Sequence, residues 1–149
     1  HALSDRFIAG AAAKCEIVGD LARDTAASTW EKYKLFAMAP DPSALDRLRS
    51  AIEGAPGLEA TASSPSNVEI LAAGVDKGEA LRLIGEYYGV PRDAMAAIGD
   101  EENDVPMLAA AGLSFAMGNA VPAVRAAAAR VTSSNDEDGV AQAIESLIA

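Results

Sequence analysis

From about Gly74 onward, short apolar runs alternate with amphipathic stretches and leave almost no loop between them. That alternation predicts helices and strands wound into a parallel sheet, because one parallel strand reaches the next only through a crossover, usually a helix. In "KGEALRLIGEYYG", Asp76 is an N-cap and Glu79 completes a capping box; Ala80, Leu81, Ile84, Tyr87 and Tyr88 mark the inward face and Gly89 the stop. "AMAAIG" (94–99) reads as an apolar strand, "DVPMLAAAG" (104–112) as a helix, and "LSFAMG" (113–118) as the next strand. "VPAVRAAAA" follows as a helix with Pro122 in its first turn, "RVT" as a brief strand, and "DGVAQAIESLIA" as a closing helix with Val140, Ala143, Ile144 and Leu147 inward.

The first half is less regular. "YKLFAMA" (33–39) reads as a strand and "DPSALDRLRSAIEG" as a helix with Asp41 as N-cap, Pro42 at its first position and Gly54 as stop. "LEATAS" and "NVEIL" are strands joined by the turn-rich "SPS", which makes a small α+β unit. In residues 1–30, "AGAAAKCEI" and "DLARDTAAST" are read as helical. The division expected is 1–72 for the first unit and 73–149 for the second.

Half of the 149 residues are apolar, enough for a real core, and 22 acidic against 12 basic side chains give a net charge of −10. That charge repels phosphate backbones and anionic lipid, so nucleic acid and membrane surfaces are poor partners. With neither a membrane-length apolar stretch nor a signal-peptide pattern, a cytoplasmic location is the expectation. Cys15 is the single cysteine and His1 the single histidine. A disulfide within the chain, a zinc site and histidine-based acid/base or nucleophilic mechanisms are thereby set aside. Chemistry falls to carboxylates, Lys, Asn or hydroxyls.

"AAIGDEENDVPML" then stands out, because Asp100, Glu101, Glu102 and Asp104 crowd directly after an apolar strand. Judged by charge alone this is a solvated acidic turn. Its position argues for more: in open parallel sheets ligands bind beyond the carboxyl ends of the strands, where loops lead into helix N-termini. Gly99 permits a tight exit there, and oxygen donors of this kind suit Mg²⁺, which takes one or two carboxylates plus water and phosphate oxygens. A calcium loop starting at Asp100 fails, because Val105 and Ala111 stand where Gly and Glu are required.

The run from "NVEILAAGVDKGEAL" through "GDEEND", "AMGNA" and "SNDEDGVA" resembles, in order and spacing, the carboxyl-terminal part of Cof-type hydrolases, the large-capped phosphatases of the haloacid dehalogenase-like superfamily. The resemblance covers about Asn67 to the end, with weaker agreement from about Tyr33. It implies a partial Rossmann-like core (73–149) preceded by part of a cap (1–72). It also implies a Mg²⁺-dependent phosphatase that acts on a small phosphorylated metabolite, such as a sugar phosphate, through an aspartyl phosphate. Asp100 resembles the Mg²⁺-ligating aspartate, Asp104 the second acid that supports that coordination, Asn103 a phosphate or substrate contact, and Lys77 the catalytic lysine that steadies nucleophile and phosphoryl group. A lysine in the first turn of a helix opposes the macrodipole and wants an anion beside it. Without the resemblance, Lys77 reads as an exposed surface lysine. Asn119 is read as a turn residue with positive φ, "SSNDEDG" as a helix-capping turn, and Trp30, Tyr33 and Phe36 as packed cap core.

The family's nucleophile lies in a D-x-D motif, and this sequence has none. About a hundred residues of a family-length chain are therefore expected ahead of residue 1. The isolated 149-residue chain is expected to be inactive. The strand at 94–98 would be left open, to pair with the missing amino-terminal half of the core or with a second copy. A phosphomutase of the same superfamily and a non-catalytic metal-, phosphate- or partner-binding module are the alternatives.

Overall fold

Asp41 folds its carboxylate back onto the backbone N–H of Ser43 at 3.0 Å, and with Pro42 fixing the first turn it starts α2 (Pro42–Glu53). In the computed structural model, which describes residues 19–27, 29 and 31–148, the chain divides into two units, 1–32 and 33–149. The first contains helix α1 (Leu21–Ala27), inside the stretch read as helical; "AGAAAKCEI", with Cys15, and Trp30 lie outside the described residues.

In the second unit β1 (Leu35–Met38) and β2 (Leu58–Thr61) flank β3 (Asn67–Ala72), both antiparallel to it. Alternation along β3 sends Val68 and Ile70 to one face, where they pack with Leu45, Leu48 and Ile52 of α2. Glu69 and Leu71 go to the opposite face. Of the three aromatic residues read from the sequence as packed cap core, the two described here, Tyr33 and Phe36, are exposed, and Phe36 stands opposite Glu69 in the register, on the face away from α2.

Gly74, at φ 76°, turns the chain into α3 (Lys77–Tyr88), which Asp76 caps through the Glu79 N–H at 2.8 Å. After it come β4 (Ala96–Gly99), α4 (Val105–Ala110), β5 (Leu113–Ala116), α5 (Pro122–Ala127), β6 (Arg130–Val131) and α6 (Gly139–Ile148). The three strands form a parallel sheet in the order β4-β5-β6, with Ile98 opposite Phe115 and Phe115 opposite Arg130. The α/β class and the parallel sheet agree with the sequence reading. The core is built of Ala97, Leu108, Ala111, Ala116, Met117 and Val124.

Two inward faces differ from expectation. On α3 the buried residues are Gly78 and Gly85, because the helix lies directly on the α4 side: a Cβ at Gly78 would sit 2.5 Å from the Pro106 carbonyl oxygen. Leu81 packs beside them, whereas Ile84, Tyr87 and Tyr88 are 55%, 82% and 72% exposed. On α6, Gly139 and Ala143 are buried, while Val140, Ile144 and Leu147 are exposed. Among the described residues no strand pairs with the outer edge of β4.

Candidate active site

Gly99 ends β4 and is small for a specific reason. A Cβ there would come within 2.5 Å of the Asp104 Cβ, so the Asp104 side chain folds back across the end of the strand only because Gly99 has none. Folded back, Asp104 Oδ2 accepts the backbone N–H groups of Asp100 (2.9 Å) and Glu101 (3.2 Å). Its Oδ1 accepts Lys77 Nζ at 2.5 Å. Burial alone would raise the Asp104 carboxyl; the Lys77 ammonium and the two backbone donors outweigh it and hold the group below the usual carboxylate range. Asp104 is thus the anion that offsets Lys77 at the N-terminus of α3.

Lys77 Nζ also donates to Asn103 Oδ1 at 3.2 Å, so α3 and the loop after β4 meet through Lys77, Asn103 and Asp104. Asn103 and Asp104 are buried and the Lys77 side chain is half-exposed, which leaves an ammonium at the mouth of a site with carboxylate behind it. The Asn103 backbone N–H reaches the Ala62 carbonyl at 3.2 Å, and Arg49 of α2 approaches Glu102 at 3.4 Å. These contacts tie the antiparallel unit to the acidic loop.

Asp100 follows Gly99 beyond the sheet edge. Its Oδ2 accepts Asn119 Nδ2 at 3.2 Å, and its other carboxylate oxygen has no partner among the described residues. Asn119 in turn accepts the backbone N–H of Asn135 at 2.9 Å. This corrects the reading of Asn119 as a positive-φ turn residue: among the described non-glycine residues only Asp138 has positive φ. Asn119 instead links the Asp100 carboxylate to the loop before α6, and the sequence signal for it was "AMGNA" lying after the neighbouring parallel strand. The "SSNDEDG" stretch is a capping turn as expected, with Ser134 and Glu137 closing a box around a single 3₁₀ turn, Asn135–Glu137.

Among the described residues no three acidic side chains converge in a cluster able to hold a metal ion by themselves. The donors present are one open carboxylate oxygen on Asp100 and what remains of Asp104. That set fits Mg²⁺, which keeps most of its shell as water and substrate oxygens, and does not fit an all-protein cage. Glu101 differs from both: burial, then the charges of Asp100, Glu102 and Asp104, push its carboxyl up.

A parallel α/β sheet with lysine, asparagine and carboxylates gathered beyond its carboxyl edge defines an α/β protein of the kind that binds ligands at that edge. A family model for haloacid dehalogenase-like hydrolases matches residues 20–144, and the chain belongs to that family. It is 49% identical over 75 residues to the 5-amino-6-(5-phospho-D-ribitylamino)uracil phosphatase YitU of Bacillus subtilis, an alignment that covers 50% of this chain and 28% of that protein. Among solved structures, a haloacid dehalogenase-like hydrolase from B. subtilis superposes with a TM-score of 0.77 at 30% identity, over 83% of this chain and 44% of that one. A sugar phosphatase of subclass IIB superposes at 0.72 with 27% identity, over 83% and 46%. The chain thus spans less than half the length of these relatives.

Proposed function

We propose that these 149 residues are part of the cap (1–72) and the carboxyl-terminal part of the core (73–149) of a Mg²⁺-dependent phosphatase that cleaves a small phosphorylated metabolite, such as a sugar phosphate, through an aspartyl phosphate. The observation that carries this reading is the Lys77 ammonium, held between Asn103 and Asp104 at the mouth of the site. Lys77 and Asn103 receive the phosphoryl oxygens. Asp104 fixes Lys77 and, through two N–H groups, aims the Asp100 backbone; Asp100, its rotamer set by Asn119, would hold Mg²⁺ through its open oxygen. The ion, when bound, would offset phosphoryl charge. The relatives' names, a phosphoribityl-compound phosphatase and a sugar phosphatase, support the substrate class.

The nucleophile comes from a segment outside these residues, on a strand beside β4. The bare β4 edge and the exposed apolar residues of α3 and α6 support such a partner. No helix of the described residues is long and apolar enough to cross a membrane, and a cytoplasmic site belongs to the same proposal.

The test assays Mg²⁺-dependent release of phosphate from phenyl phosphate by the full-length gene product and by the 149-residue chain. Turnover by the former alone is expected. Turnover by the isolated chain, in a preparation free of contaminating phosphatase, would overturn the division of the site. No turnover by either would favour a binding module, and conversion of glucose 1-phosphate to glucose 6-phosphate without release of phosphate, in a parallel assay, would identify a mutase.

A further inference from the structure

The face of the antiparallel sheet turned away from α2 borders a cavity of about 380 Å³. Its walls bring Lys34, Glu59, Thr61 and Glu69 of the sheet unit opposite Lys77 and Asn103. Glu69, on that wall, is the end point of a hydrogen-bond chain that runs in behind it. Buried Asn67 accepts the Ser63 backbone N–H (3.1 Å) and donates Nδ2 hydrogens to Ser63 Oγ (3.2 Å) and Ser64 Oγ (2.8 Å). Ser63 Oγ then spends its one hydrogen on Glu69 Oε1 at 2.6 Å, and Lys34 Nζ donates to Oε2 at 3.0 Å.

The donation from Asn67 through Ser63 Oγ, and that from Lys34, therefore both end on Glu69. Burial alone would raise that carboxyl; the bonds from Ser63 and Lys34 and the charges of Lys34 and Lys77 outweigh it and hold Glu69 below its ordinary range, ionised at neutral pH. Each of its oxygens has one lone-pair direction left, so what it offers the cavity is acceptance. Lys34, half-exposed, has two further N–H donors. A carboxylate and an ammonium side by side are the complement of hydroxyl groups, which donate to the first and accept from the second. An anionic group would meet Glu59 and Glu69 together, with Lys34 already neutralised.

We propose that Lys34 and Glu69, oriented by Ser63 and Asn67, form the subsite for the leaving group of the phosphate ester, and that it selects a neutral polyhydroxylated one. The inference rests on the reading of Lys77 and Asn103 as the phosphate-side groups of the same cavity.

The test compares kcat/KM of the full-length protein for ribose 5-phosphate and glucose 6-phosphate with that for phenyl phosphate, which lacks hydroxyls, in wild type, Glu69→Gln and Lys34→Met. The preference for at least one sugar phosphate is expected to fall about tenfold or more in both variants, because a site built for hydroxyls loses its advantage when a partner is removed. An equal fall on all esters would assign the cluster a structural role and overturn the subsite. Turnover of fructose 1,6-bisphosphate as fast as the monoesters would overturn its preference for a neutral group. Amide NMR shifts of the same protein separate this inference from the phosphatase reading. Shifts at Ser63 and Glu69 with ribose 5-phosphate but not with inorganic phosphate uphold the subsite even without turnover. Identical shifts with both ligands remove it and leave the phosphatase reading standing.

Discussion

The two sheets of residues 33–149 solve the problem of burial differently. The antiparallel sheet covers one face with α2 and turns the other, which mixes Glu59, Thr61 and Glu69 with Phe36 and Leu71, to a cavity. The parallel sheet packs Ala97, Ala116 and Val124 into a core yet, among the described residues, leaves the outer edge of β4 unpaired and apolar side chains of α3 and α6 exposed. Parallel sheets are normally covered on both faces. Both sheets have outer edges without a partner among the described residues, but only the parallel one is also flanked by helices whose apolar side chains stay exposed.

The largest effect should follow from the parallel sheet. Sedimentation of the pure 149-residue chain at micromolar concentration is expected to show dimers or larger species, since an open apolar edge pairs with whatever strand it meets. A monomer whose amides at 96–98 resist hydrogen exchange would remove the contrast between the sheets.

Next in size is the joint between α3 and the acidic loop. Asp104→Ala orphans two backbone donors and the Lys77 ammonium and should cost about 1–3 kcal/mol, most of it from the N–H groups because Lys77 is half-exposed. Gly99→Ala drives a Cβ into Asp104 and should cost a similar amount, about 1–3 kcal/mol. Denaturant titration of both variants checks this; a neutral Gly99→Ala would mean that Asp104 is not held against the strand.

The antiparallel sheet predicts a smaller, pH-dependent effect. With its folded pKa depressed, Glu69 adds stability above its unfolded value, and that contribution is lost as pH falls through the folded pKa, below the ordinary carboxylate value of about 4.3. Burial opposes the shift, and the bonds from Ser63 and Lys34 with the charges of Lys34 and Lys77 outweigh it. Thermal unfolding of wild type and Glu69→Gln should differ most at neutral pH and converge below that range. Smallest is the bridge between α2 and the acidic loop: Arg49→Ala removes a partly exposed pair with Glu102 and should change stability by less than about 1 kcal/mol. A larger loss would mean that the contact holds the two sheets together.

Much of this was legible because the signals are local. The caps at Asp41 and Asp76, the strand–helix alternation and the loop after β4 each lie within a few consecutive residues. Apolar spacing on α3 and α6 identified a face but could not say whether its partner lies among these residues, so Ile84 and Val140 were placed inward while Gly78, Gly85 and Gly139 carry the contacts. The role of Gly99 depends on where Asp104 folds, and the pairing of Lys34 with Glu69 depends on antiparallel register across 35 positions. Asn119 joined the site because parallel β4 and β5 bring the ends of their loops together.

The central claim is that one carboxylate of the four, not the charge of the cluster, performs the metal chemistry. Full-length Asp100→Asn should lose Mg²⁺-dependent phosphatase activity by about two orders of magnitude or more, while Glu101→Gln stays within about tenfold of wild type, because Asp100 alone pairs an open oxygen with a position at the carboxyl end of β4. Both variants have the same net charge. Equal losses from the two substitutions would show a charged patch in place of a coordination site and contradict the account.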